Sequence, residues 1–310
     1  MKIIYRKTDF SIKLSKSITF KLHPLFIMRS VLGKELRRLV CIFQDRACAG
    51  CSLKFTCAYS WMFETPIEKA NEVLFNRDRA SHPFILSCNR DVEFTGDTLD
   101  LRITAFGKGV DYLPYLYYSL QRAGQKGIFR ERIPFTIEDA RVDGASILED
   151  DGYIDVLTGR KEWVLEKSHE ERETRRLKIS FITPLRLKVN GRYTSGFSFT
   201  EFISSLERRA AILSALYGDD TGEYPEKLEG TNKSRISARD LKWKELDYYS
   251  ARQGVRMKLG GVIGDFIVNG PFSGRDLSLL SFGEIFHVGK NAGFGLGRMT
   301  VTPMNDKGEQ

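Results

Sequence analysis

The second half of this chain passes through a succession of periodicities that leaves few folds open to it. Leu177 to Val189 alternates apolar and polar residues, the period of a half-buried strand. Ser198 to Glu201 is a capping-box pattern, and Phe199, Phe202, Ile203, Leu206, Ala210, Leu213 and Leu216 then recur at helical spacing. A polar loop, 218–238, leads to strand-like segments at 240–250 and 254–268. Leu277 to Phe286 reads as a short helix, and Met299 and Val301 open a final strand. The order is βαββαβ, the split ferredoxin-like unit.

The first half follows the same order less regularly. Ile3, Tyr5, Phe10, Ile12, Leu14, Ile18 and Phe20 suggest an opening strand or hairpin. Pro24 sits where a helix begins, and Leu25, Met28, Leu32, Leu36, Leu39 and Val40 continue at helical spacing. Strands are expected at 82–88 and 98–106, and a second helix over 112–124, stopped by Gly124 and Gly127. Extended segments recur through 132–165, and the charged stretch Lys167 to Arg176 reads as an inter-domain connection. We therefore expect an α+β protein of tandem ferredoxin-like (RRM-like) domains, residues 1–170 and 171–310. A chain of 310 residues is long enough for two cores. No apolar run approaches the ~20 residues needed to cross a bilayer. Met1 to Phe20 lacks the apolar stretch of a signal peptide, so the expectation is a cytoplasmic protein without a membrane partner.

Between the last helix and the last strand lies Gly289-Lys290-Asn291-Ala292-Gly293-Phe294-Gly295-Leu296-Gly297-Arg298. Four glycines in nine residues, flanked by Lys290 and Arg298 and free of acids, can offer backbone N–H groups and positive charge to phosphate. The run matches neither GxxxxGK[ST] nor a GxGxxG that opens a helix, so a plain glycine-rich turn is the competing reading. The net charge of +8 and pI of about 9.1 favour a polyanionic partner. Residues 233–258 hold eight Lys/Arg against three acids, with Trp243, Tyr248 and Tyr249 interleaved. Lys242, Lys244 and Arg256 are the candidates there for phosphate contact, and rings can stack on bases. A solvated strand face is the competing reading.

Cys41, Cys48, Cys51 and Cys57 follow the first helix as C-x6-C-x2-C-x5-C, with Cys88 apart. In a cytosolic chain clustered thiols more often bind metal than form disulfides. Four thiolates suit a closed structural zinc site, and an iron–sulfur cluster is the second option. Unliganded buried cysteines are the third.

The βαββαβ half with its glycine-rich loop resembles the RAMP superfamily, and within it the CRISPR repeat-processing endoribonucleases. The resemblance rests on Phe199-Thr200-Glu201-Phe202 through Arg208-Arg209, on Leu216-Tyr217-Gly218 and on Met257 to Gly264. It continues through Phe282 to Lys290 and Phe294-Gly295-Leu296-Gly297. Arg37-Arg38-Leu39 and Tyr59-Ser60-Trp61-Met62-Phe63-Glu64 resemble one branch of that family. The resemblance implies metal-independent cleavage of repeat RNA: a ribose 2′-hydroxyl attacks the adjacent phosphorus and leaves a 2′,3′-cyclic phosphate and a 5′-hydroxyl. It also implies repeat RNA and CRISPR effector subunits as partners. Such a reaction wants a base, an acid and cations on the phosphorane. Family members often place a catalytic His, with a Tyr and a Lys, near the end of the first helical region. Here that segment holds the cysteines and no histidine. Of the four histidines, His287 adjoins the glycine loop, His23 begins the first helix, His82 precedes Pro83, and His169 lies in the connector. His287 and His23 are the candidates for acid/base work, Tyr59 and Lys54 for helpers, and Arg208 and Arg209 for phosphate contact. A RAMP subunit that binds repeat RNA without cutting it is the alternative function, and an iron–sulfur redox protein a third.

Overall fold

The computed structural model describes residues 1–67, 80–91, 93–149, 152–155, 157–166, 168, 170–173, 176–218, 233–250 and 254–304. The expected loop is thereby described only at its two ends, and His169 lies outside the described residues. The chain forms two compact units. One comprises Ile4–Glu162 with Asp247–Met257; the other comprises Met1–Ile3, Trp163–Leu246 and Lys258–Gln310. The change of unit falls at 162/163, where sequence reading placed it at 170/171.

The N-terminal unit runs β1 (Lys2–Thr19), α1 (Pro24–Val40), β2 (Phe84–Cys88), β3 (Thr95–Phe106), α2 (Leu113–Lys126), β4 (Phe135–Val142) and β5 (Ala145–Ser146). Its antiparallel sheet has the order β2-β3-β1-β4-β5. Strand alternation sends Phe10, Ile12 and Leu14 of β1 inward, opposite Leu101 and Leu99 of β3. They meet Leu25, Met28, Leu32 and Leu36 of α1 and Leu113, Leu116, Tyr117 and Leu120 of α2. Each such side chain gains roughly 1.5–3 kcal/mol on burial. Helix α1 begins at Pro24, whose fixed φ suits the first helical position, and the His23 ring accepts the Leu25 amide at 3.3 Å. Arg37 and Arg38 sit in its last turn, where cations complement the helix dipole.

The C-terminal unit contains half of β6 (Lys161–Val164) and all of β7 (Glu171–Glu173), β8 (Arg176–Leu185), β9 (Lys188–Val189) and β10 (Arg192–Tyr193). It continues with α3 (Phe199–Tyr217) and β11 (Arg235–Lys244). A hairpin of β12 (Asp247–Ser250) and β13 (Val255–Lys258) follows, then β14 (Gly261–Asn269), β15 (Phe272–Ser273), α4 (Gly274–Phe286) and β16 (Met299–Met304). The main sheet has the order β11-β14-β8-β16. Counting only the strands of each βαββαβ repeat, both sheets read second, third, first, fourth. Ser198 and Ser273 cap α3 and α4, each in a reciprocal capping box, with Glu201 and Asp276 respectively. Phe181, Phe202 and Phe266 form the aromatic centre, with ring centroids 5.4–5.9 Å apart. At Gly283 of α4 a side chain would press on Met299 and Leu206, so glycine lets the helix lie close to its neighbours.

The expected strand 254–268 is two strands. Leu259 donates its amide to the Leu246 carbonyl and closes off the β12–β13 hairpin, most of which belongs to the N-terminal unit. Phe26 of α1 packs edge-on against Tyr248 there, with centroids 5.1 Å apart. No described helix is long and apolar enough to cross a membrane.

Candidate nucleic-acid interface

The glycine loop is strapped to the end of β8. Lys290 donates its amide to the Arg186 carbonyl and Gly297 to that of Pro184, both at 3.0 Å. Thr183 Oγ1 donates to the Gly295 carbonyl at 2.7 Å and accepts the Arg298 amide at 2.9 Å. Val288 closes the loop on itself through the Gly297 carbonyl at 3.0 Å. Gly289, Gly295 and Gly297 take positive φ, as do His287 and Asn291. At Gly297 (φ 67°) a Cβ would also collide with the Val288 carbonyl oxygen, so no other residue fits without displacing the loop.

This geometry revises the expected amide cradle. The amides of Val288, Lys290, Phe294, Gly295, Gly297 and Arg298 are bonded within the protein. Those of Gly289 and Asn291 make no hydrogen bond among the described residues. The Lys290 side chain is exposed, Gly293 and Arg298 are half-buried, and the loop presents one free cation with two adjacent amides.

His287 is 3% exposed. It ends α4 with φ 57°, and its Nδ1 lies 3.3 Å from the Leu296 carbonyl oxygen, bridging the two ends of the loop. His23 is equally buried, and its Nε2 points to Asp91, 3.8 Å away and half exposed. The Nδ1 that caps α1 is an acceptor, which leaves the proton of the neutral ring on Nε2, facing the carboxylate. Tyr59 is buried, stacked on Phe63 and covered by the Arg37 guanidinium, 5.8 Å from its ring centroid. Lys54 lies over Phe55. His82 packs against Phe63 and Phe84.

The two adjacent arginines of α3 part company. Arg208 is exposed, as a phosphate contact requires. Arg209 turns inward: its Nε donates to the Phe286 and His287 carbonyls at 3.1 Å, and Nη2 to Phe286 at 2.9 Å. It caps the last turn of α4, immediately before the glycine loop, and burial lowers its pKa to about 10, still cationic at neutral pH. The expected phosphate contact is replaced by a structural one.

Strand β11 is an edge strand of its sheet. Lys242 is exposed and Lys244 half-buried on one face; Trp243, on the other, is 46% exposed. Arg239 stacks on Phe197, donates to its carbonyl at 2.6 Å, and borders a cavity of about 510 Å³ that Ser195 and Leu241 also line. Arg256 is exposed on β13, in the other compact unit from Lys242 and Lys244.

The segment between α1 and Tyr59 contains a 3₁₀ turn at Cys48–Gly50 with no buried residue of its own. All four cysteines are half-buried and free. Burial raises the Cys48 thiol pKa, with Glu64, Cys41 and Cys57 adding to it and Arg37 opposing. As placed, they do not fit a coordination shell: among the described residues no three His, Cys, Asp or Glu side chains are gathered to hold a metal. Sequence reading also missed Arg29, buried between Phe63 and Phe84 at 5.1 and 5.3 Å from their centroids. Burial lowers its pKa to about 10, against the opposing influence of Tyr248 and Tyr59.

Comparison with known proteins covers both halves. Residues 179–299 match the family described as CRISPR-associated endoribonuclease Cas6, and residues 3–163 match a family described only as an N-terminal domain. An uncharacterized protein of Archaeoglobus fulgidus is 24% identical over 277 residues, 87% of this chain and 88% of its own length. A Cas6 product complex superposes with a TM-score of 0.55 at 16% identity, covering 97% of this chain and 99% of that one. Thermus thermophilus Cas6 gives 0.53 at 15% identity over the same shares. At these identities the solved structures speak for the fold. The fold is that of these Cas6 structures, and residues 179–299 are similar to the CRISPR-associated endoribonuclease Cas6 family.

Proposed function

We propose that this protein cuts CRISPR repeat RNA at one position by attack of the ribose 2′-hydroxyl on the adjacent phosphorus, without a catalytic metal ion. The reading is carried by the match of residues 179–299 to an endoribonuclease family. That span holds the strapped loop with its exposed Lys290 and the cation-bearing edge strand β11. The two sheets, each in the order second-third-first-fourth, support a tandem ferredoxin-like architecture. In this reading Lys290 and the Gly289 and Asn291 amides meet phosphate, and Lys242 and Lys244 neutralise the backbone nearby. Of the two histidines, His23 has the better geometry for proton transfer, because a carboxylate faces its Nε2 whereas the His287 ring is engaged by loop backbone. The four thiols complete the proposal as zinc ligands reached by rearrangement of their segment. What supports this is the C-x6-C-x2-C-x5-C spacing, with the Cys48–Gly50 turn burying no residue of its own.

The test is incubation with the repeat transcript of its own genome in the presence of EDTA, with end-group analysis of the products. A 2′,3′-cyclic phosphate and a 5′-hydroxyl are expected. Tight binding without cleavage would favour a non-catalytic RAMP subunit, and cleavage abolished by EDTA would overturn the metal-independent route.

A further inference from the structure

Helices α1 and α2 carry a charge cluster outside the loop and the basic strand. Glu35 of α1 is 3% exposed. Arg38 reaches one of its carboxylate oxygens at 2.7 Å, and Lys126 the other at 2.5 Å. Arg122 stands 4.0 Å from the second oxygen, and its own Nε is buried without a hydrogen-bond partner. Burial raises the Glu35 pKa, but the Lys126 and Arg38 donors outweigh it and the net shift is downward, so the group is ionised at neutral pH. Three cations therefore share one carboxylate, a formal excess of +2. Among the described residues Glu35 is the only carboxylate that the three reach. All three cationic side chains are 43% exposed, and Lys34, one residue before Glu35, is exposed as well.

Helix packing alone does not account for this arrangement. A single cation would satisfy Glu35, and an apolar pair would join the helices at no greater cost. The surplus cations repel one another when no anion is present. What the buried carboxylate does is hold three flexible side chains in one place with their outer N–H groups toward solvent. That lowers the ordering entropy which a phosphate contact otherwise costs. Guanidinium forks and an ammonium at that spacing match consecutive phosphates.

We propose that Arg38, Arg122 and Lys126, preorganised by Glu35, form an RNA-backbone site on the α1–α2 face of the N-terminal unit. It would grip repeat RNA through residues other than those of the glycine loop. The inference rests on the proposed RNA-processing function and adds a second contact region to it.

The test uses the full chain, the repeat transcript of its own genome, and a fluorescence titration across a salt series. For Arg122→Gln/Lys126→Gln the slope of log affinity against log salt should fall by about 1–1.5, since each lost phosphate contact is worth about 0.7 on single strands. Affinity at 100 mM salt should fall by about tenfold or more. The charge-keeping pair Arg122→Lys/Lys126→Arg should hold the wild-type slope, which a purely structural role for these side chains would not predict. Should the double Gln variant not fold, Lys126→Gln alone should lower the slope by about half as much. Wild-type affinity and slope in a folded Gln variant would overturn the site while leaving the function intact. Binding lost to anionic phosphatidylserine vesicles but kept to RNA would overturn it in favour of a membrane surface. A wild-type protein that binds no repeat RNA would remove the functional reading and this site together.

Discussion

At the scale of single residues, the two histidines separate by what their rings already do. His23 caps α1 through Nδ1 and faces Asp91 through Nε2. His23→Asn keeps a capping acceptor but cannot move a proton at neutral pH. We expect that variant to bind repeat RNA normally and to cleave about 10²–10⁴-fold more slowly in single-turnover assays. His287→Asn tolerates positive φ but loses the bridge to Leu296, so it should weaken RNA binding and lower stability together. If instead His287→Asn abolishes cleavage with binding intact, the roles of the two rings are exchanged. Gly297 makes a backbone argument that a side chain cannot. Gly297→Ala places a Cβ against the Val288 carbonyl at φ 67°, and should cost about 1–3 kcal/mol in a denaturant titration. A variant as stable as wild type would show that the loop relaxes freely.

At the scale of elements, α3 and α4 are joined at one end of α4 by the Arg275–Glu207 ion pair and at the other by Arg209. Arg209 donates to two carbonyls at the end of α4, and so fixes where the glycine loop starts. Arg209→Met should therefore destabilise the protein by about 1–3 kcal/mol and weaken RNA binding although Arg209 faces away from any ligand. Arg209→Lys keeps the charge but not the fork, and should fall between the two. Equal melting temperatures for all three proteins would refute the latch. The cysteine segment after α1 is the converse case, an element with little internal packing. We expect about one zinc per chain by elemental analysis of protein purified without chelator, and a lower melting temperature for Cys51→Ser than for Cys88→Ser. Metal-free protein with wild-type stability would show that side-chain contacts alone hold the segment.

At the scale of the whole molecule, the basic residues read in sequence as one strand pair are divided between two compact units. Lys242 and Lys244 share a face of β11, whereas Arg256 lies on β13. Reversing Lys242 or Lys244 should weaken RNA binding alike and flatten its salt dependence by about one contact each. Reversing Arg256, which belongs to the other unit, should act independently and add to either. Identical, non-additive losses would mean a single contact patch. The sequence alone determined the βαββαβ order, the Ser198 capping box and the start of α1, because these follow from local periodicity and from groups three or four residues apart. It also placed the glycine loop between α4 and β16. Only the tertiary structure decided which loop amides stay open, since Lys290, Gly297 and Arg298 find their acceptors at the end of β8 and just past it, over a hundred residues earlier in the chain. The inward turn of Arg209 beside the outward Arg208 was likewise invisible, because its partners are carbonyls on another helix. Arg38 could be paired with Glu35 from their spacing on one helix face, but Arg122 and Lys126 reach that carboxylate only because α2 packs against α1. Local spacing encodes helices, strands and caps; charge and hydrogen-bond partners distant in sequence exist only once the core has closed.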